Sequence, residues 1–205
     1  MGKSEETRKA IIEKAAILFN QRGFHGTSIS DIMEATGLTK GGIYGNFKRE
    51  GVDKKGVKEE IALASFKFAV EKVAEEIRTR TSVIDNSLDK LKTVVYFYKE
   101  RVLNPPVEGG CPILNTSIEA DDNMPVLRKK VVEAINFWHH GISRTIEKGQ
   151  EKGEIKTEVD PKIFASRFIG TLEGGIMLSR IHKDVKAFNP MASLLLEMID
   201  SIKAS

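Results

Sequence analysis

Apolar residues recur at three- and four-residue intervals along almost the whole chain, and the two-residue alternation of half-buried strands is nearly absent. This pattern predicts an all-α protein of about nine helices. A first helix over residues 5–22 carries Ile11, Ala15, Leu18 and Phe19 on one face and stops at Gly23. A second starts at Ser28, where a serine N-cap and Asp31 at the third helical position match a capping box. It turns Ile29, Ile32 and Met33 inward and ends at Thr36, before Gly37. Thr39 suits the cap of a third helix over residues 40–47, with Ile43 and Phe47 pointing the same way. Two short helices joined by a tight glycine-containing turn form a helix-turn-helix signature.

The polar stretch from Lys48 to Gly56 has no apolar period and reads as a loop. A long helix over 57–80 follows, with Ile61, Ala64, Phe68, Val73 and Ile77 in register. Another over 84–103 carries Leu88, Leu91, Val95 and Tyr98 and is ended by Asn104-Pro105-Pro106. Pro112 and Pro125 suit the opening of helices over 112–120 and 125–152. Asp160-Pro161 and Asn189-Pro190 each read as an N-cap residue followed by proline at the first helical position.

Composition narrows the class. The 205 residues include 40% hydrophobic and 30% charged positions with a net charge of +3, which is ordinary for a globular protein and excludes a disordered chain or a strongly basic coat. The single cysteine excludes an intramolecular disulfide. No run of about 18 uncharged apolar residues offers a membrane span, and the N-terminal stretch lacks an apolar signal core. The expectation is a cytoplasmic protein without a membrane partner. Its basic charge is local: between residues 40 and 58, Lys40, Lys48, Arg49, Lys54, Lys55 and Lys58 face only Glu50 and Asp53, a net of +4.

The helix-turn-helix offers the groups a DNA duplex requires. A recognition helix enters the major groove, about 12 Å wide, while the preceding helix crosses the backbone. Thr27, Ser28 and Ser30 place hydroxyls and N–H groups at one helix N-terminus, suited to a phosphate oxygen. Thr39 and Lys40 do so at the next, with Lys40 also able to reach guanine. Gly41 and Gly42 weaken a short helix by about 1 kcal/mol each, a poor choice unless something must come near. Tyr44 offers a ring and hydroxyl, Asn46 an amide, and Lys48 a charge to the backbone. The competing reading is a helical hairpin whose polar face is merely wet.

The segment from Thr7 to Lys48 closely resembles the DNA-binding domain of the tetracycline-repressor (TetR) family. The likeness rests on the A-x-x-L-F core ending at Phe19, on G-F-x-G-T-S-I-x-D-I from Gly23 to Ile32, and on A-x-G-L-T-K-G-G-I-Y-x-x-F from Ala35 to Phe47. The resemblance implies a homodimer on a palindromic double-stranded operator, released when a small molecule binds the C-terminal domain. It implies a DNA-binding domain over 1–56 and a ligand-binding and dimerisation domain over 57–205. The DNA-facing positions it assigns are Ser28, Ser30, Thr39, Lys40, Gly41, Gly42, Tyr44, Asn46 and Lys48, with Lys58 matching the family's phosphate-binding lysine. The family passes directly from its F-K pair into S-K-E-E, whereas here residues 49–56 intervene before Val57-Lys58-Glu59-Glu60. Extra backbone contact by Arg49, Lys54 and Lys55 and a solvated loop are both open readings of that insertion.

In the C-terminal part the family likeness makes residues 161–203 the dimer surface. This span holds the small residues of Gly170-Thr171-Leu172-Glu173-Gly174-Gly175 and an apolar stripe of Met191, Leu194, Leu195, Met198 and Ile202. Gly110-Cys111, Asn115 and Glu119 resemble a branch of the family with a G-C-x-x-x-N-x-x-x-E motif, some members of which sense electrophiles or oxidants. Cys111 reads either as such a sensor at a helix N-terminus or as a small buried hydrophobe. Candidate effector contacts are Tyr96, Cys111, Asn115, Phe137, Trp138, His139, Phe168 and Leu172. His139 and His140 are adjacent and point about 100° apart, so no metal site is expected. No nucleophile, base and orienting acid group together, so neither an enzyme nor a cofactor is expected. The expected function is a ligand-responsive, homodimeric transcriptional repressor. The alternative is a helical small-molecule-binding or enzymatic protein with a vestigial helix-turn-helix.

Overall fold

A computed structural model describes residues 2–47 and 54–204. Its helices are α1 (Lys3–Arg22), α2 (Ile29–Thr36), α3 (Lys40–Phe47), α4 (Lys54–Thr81), α5 (Ser87–Arg101), α6 (Pro112–Asn123), α7 (Pro125–Glu151), α8 (Pro161–His182) and α9 (Asn189–Ser201), with a 3-10 turn over Val185–Phe188. Among the described residues there is no strand, only an isolated antiparallel bridge between Ile155 and Lys203. The all-α expectation holds.

The chain forms two compact units. The first takes the residues up to Lys72 together with Val107–Val131, and the second takes Val73–Pro106 together with the residues from Val132 onward. In the first, Ile11, Ala15 and Leu18 of α1 close on Ile32, Ile43 and Phe47 of α2 and α3 and on Val57 and Ile61 of α4. These are the apolar positions whose helical spacing marked the inner faces. In the second, Leu91 and Phe97 of α5, Ile146 of α7, Phe168 and Leu172 of α8, Phe188 and Leu195 are all essentially inaccessible. Removing a core ring such as Phe168 would leave a cavity worth about 3–5 kcal/mol.

Cap chemistry fixes the starts of α2 and α8 as the sequence predicts. Ser28 Oγ accepts the Asp31 N–H at 3.1 Å while the Asp31 carboxylate accepts the Ser28 N–H at 2.6 Å, a complete capping box. Asp160 caps α8 through the N–H groups of Lys162 and Ile163, with Pro161 in the first turn.

Three boundaries differ. Helix α4 begins at Lys54 rather than Val57, because Gly56 is absorbed into the helix instead of breaking it. Helix α5 starts at Ser87, since Asn86 provides the cap by accepting the Asp89 N–H at 3.0 Å. Asn189 is not an N-cap. Asp184 caps the preceding 3-10 turn, which runs straight into α9, so Phe188 and Asn189 already have helical backbone angles.

Four carboxylates are held below the ordinary carboxylate range by donors: Asp31 by the Ser28 hydroxyl and N–H, Asp85 by Lys152, Glu100 by Arg80, and Asp160 by the first N–H groups of α8. A depressed folded-state value contributes stability above the unfolded pKa, and that contribution is lost as pH falls through the folded one. Thermal unfolding between pH 7 and pH 3 should therefore show a steady loss of Tm below about pH 4. A flat profile would contradict this account.

Candidate nucleic-acid interface

Helix α3 owes its position to α1. The Arg8 guanidinium lies 4.0 Å from the centre of the Phe47 ring, donates to the Asn46 carbonyl at 2.7 Å and pairs with Glu60 of α4 at 3.3 Å. One side chain thus satisfies an orphan carbonyl at the C-terminal end of α3 and links three helices. This residue was not found from the sequence. Its partners lie 38 and 52 positions away, and no local pattern marks it.

The exposed side of α2 and α3 presents Ser28, Ser30, Thr39, Lys40 and Gly41 to solvent, with Gly42, Tyr44 and Asn46 half-buried beside them. Thr39 caps α3 by accepting the Gly42 N–H at 3.2 Å. The Lys40 ammonium lies 5.9 Å from the Tyr44 ring centre, so charge and ring stand on one edge of the helix. An added Cβ at Gly41 would have only the Thr39 hydroxyl at 3.9 Å, at Gly42 only ordinary contacts from 3.6 Å, and at Gly45 nothing within 4 Å. Packing against the described residues therefore requires none of the three glycines.

Two predicted residues are occupied differently. Thr27 is 1% exposed and its hydroxyl donates to the Gly23 carbonyl at 2.8 Å, so in this structure the hydroxyl is engaged within the protein. The threonine closes the α1–α2 turn. The Asn46 amide donates to the Gly42 carbonyl at 2.8 Å and its oxygen accepts from Ser4 at 3.2 Å, so its groups are engaged within the protein. The Lys58 ammonium sits 4.1 Å over the Phe24 ring. Burial lowers its pKa, against the pull of Glu119 and Asp31. Lys48 and Arg49 lie outside the described residues, as do the side chains of Lys54 and Lys55.

The predicted effector residues are divided between the two units. In the first unit, Cys111 is buried at the N-cap of α6 without capping through its side chain, and Asn115 is half-buried. A cleft in that unit is lined by Phe19, Asn20, Phe24, Phe66, Thr116 and Glu119 among others, and by none of the eight. In the second unit Phe168 and Leu172 are core, and Trp138 lies against Tyr98 with ring centres 6.1 Å apart. His139 Nε2 is 3.0 Å from both the Lys162 carbonyl and the Ser166 hydroxyl. Tyr96 and Phe137 are surface residues, 53% and 70% exposed. Among the described residues no group of three histidine, cysteine or acidic side chains is placed to hold a metal ion, and no helix is long and apolar enough to cross a membrane.

Residues 11–49 match the family described as bacterial regulatory proteins, tetR family, and residues 87–194 match the tetracyclin repressor-like C-terminal domain. The chain belongs to the TetR family. A TetR transcriptional regulator from Chloroflexus aurantiacus is 38% identical, with complete coverage of both chains and a TM-score of 0.91. A TetR-family regulator from Cytophaga hutchinsonii is 33% identical over 100% of this chain and 98% of its own, with a TM-score of 0.88. The transcriptional repressor DhaR of Mycobacterium sp. is 22% identical over 94% of this chain and 91% of its own. As a member of the TetR family the chain is a DNA-binding transcriptional regulator, and release by an effector is typical of that family.

Proposed function

We propose that the chain is a homodimeric repressor that reads a palindromic operator with α3 and lets go when a small molecule binds within residues 57–205. The observation that carries the reading is α3 itself. Three glycines in the eight-residue KGGIYGNF cost about 1 kcal/mol each in helix stability, and among the described residues no neighbour needs the space they leave. An outside surface that approaches the backbone does need it, and the flanking Ser28, Ser30, Thr39 and Lys40 are donors suited to phosphates and base edges. Residues 1–56 then carry the DNA contacts.

The dimer is assigned to residues 161–203. Ile163, Met177, Leu178 and Ile181 of α8 and Leu194 of α9 are apolar side chains left at least 38% exposed, beside the open glycines Gly170 and Gly174. A second copy of the same face covers such a stripe symmetrically. The residues Gly110-Cys111, Asn115 and Glu119 support a reading of the chain as one of the branch with the G-C-x-x-x-N-x-x-x-E motif.

A gel shift on the DNA upstream of the protein's own coding sequence tests the reading. Lys40→Ala should weaken binding about tenfold or more and lower the salt slope by about 1. Equal binding by parent and variant would remove α3 as the reader.

A further inference from the structure

The G-C-x-x-x-N-x-x-x-E segment is bonded at three levels to α1 and to the turn that follows it. The Asn20 side-chain amide, in a residue only 7% exposed, donates to the carbonyls of Glu108 at 2.9 Å and Gly110 at 3.1 Å. Asn115, one α6 turn past Cys111, returns the contact. Its amide lies 2.9 Å from both the Asn20 carbonyl and the Asn20 Oδ1, and 3.0 Å from the Gly109 carbonyl. One turn further, the Glu119 carboxylate accepts the Phe24 N–H at 2.5 Å and the His25 N–H at 3.3 Å. Those two N–H groups belong to the turn that leads from α1 to the N-cap of α2.

Two glycines let the surfaces meet. Gly109 has φ +118°, and a Cβ there would lie 2.7 Å from the Asn20 carbonyl. Gly23 has φ +73°, and a Cβ there would lie within the Glu119 carboxylate. Both positions have a left-handed backbone; at Gly109 the backbone contact excludes a side chain, and at Gly23 a side chain would have to displace the Glu119 carboxylate. All of these residues belong to the first compact unit, although residues 107–131 are flanked on both sides in sequence by residues of the second.

We infer that Asn20, Asn115 and Glu119 form a clasp that sets the pose of the α1–α2 turn for DNA reading, and that they are positioning residues for operator recognition. Glu119 holds the N–H groups at the turn, the turn fixes where α2 begins, and Ser28 and Ser30 stand in its first residues. Opening the clasp lets the α2 N-terminus leave its register with the phosphates while the apolar core of α1, α2 and α3 stays closed. The inference rests on the DNA-binding reading above.

The test uses the full-length protein and a duplex that the unmodified protein enriches from a random-sequence pool, beside a scrambled duplex of equal length. Loss of folded protein scales both affinities by the same factor and leaves their ratio unchanged, whereas loss of positioning lowers the ratio. Glu119→Ala and Asn115→Ala should each lower it about tenfold. Glu119→Gln, which keeps one carbonyl acceptor, should restore part of the loss. Amide exchange at Phe24 and His25 should quicken in Glu119→Ala and report the open turn directly, even if DNA binding by that variant is too weak to measure. Ratios equal to the parent's in both alanine variants would overturn the clasp. Failure of the unmodified protein to enrich any duplex would instead overturn the reading it rests on.

Discussion

Gly41→Leu is expected to leave the folded chain as stable as the parent, or more stable by up to about 1 kcal/mol, and to weaken binding to operator DNA a hundredfold or more. The first half follows from helix propensity and space. Leucine replaces the poorest non-proline helix former, and its Cβ meets nothing closer than 3.9 Å. The second half follows from the proposed interface, where a side chain at that place holds the backbone away from the bases. Specific binding exceeds non-specific binding by about 10³ or more, so losing register at one recognition helix removes most of it. Thermal unfolding and anisotropy titration with a labelled operator duplex check the two halves. A variant that is more stable and binds equally well would separate α3 from DNA reading.

The double variant Met177→Glu with Ile181→Glu is expected to convert a dimer to a monomer without unfolding it, and to lower affinity for a two-fold operator about a hundredfold or more. Both side chains are at least half exposed in the single chain, so the fold does not depend on them, whereas charges across a symmetric apolar contact repel their own copies. A monomer engages one half-site and loses the effective concentration that joins the two. Sedimentation and the same titration give the result, and an unchanged dimer would move the interface away from α8. Neighbouring glycines supply a control. Gly174→Ala enters open space and should not lower the stability of the single chain. Gly175→Ala would place a Cβ 2.8 Å from the Phe188 ring and should cost about 1–3 kcal/mol.

The legible parts of this protein are those decided locally. Ser28 with Asp31, Asp160 with Pro161, and the inward faces of α1, α2 and α3 are choices made within one or two helical turns, and sequence spacing predicts them. What escapes is decided by partners far along the chain. Nothing near Arg8 announces that its guanidinium caps α3 and pairs with Glu60, and nothing near Asn20 announces a bond to residues 108 and 110. Thr27 illustrates a competition within reach of sequence but not settled by it. Its hydroxyl had a phosphate or its own backbone to choose from, and it donates to Gly23 four residues back. Asn189-Pro190 misleads because an N-cap reading presumes a chain arriving extended, whereas Asp184 starts a 3-10 turn that delivers it already helical. Lys54 to Gly56 join α4 because the long amphipathic helix behind them offers more than the lone glycine takes away.

In the proposed dimer, α3 of one copy and α3 of a second read the two halves of one symmetric DNA site. Selection from a random-sequence duplex pool by the unmodified protein at physiological salt measures it most directly. An inverted repeat whose half-site centres lie about one helical turn, or a multiple of it, apart should be enriched. Inserting about five base pairs between those halves, half a turn of B-DNA, should abolish the gain. A pool that stays random, or an enriched site without two-fold symmetry, would contradict it.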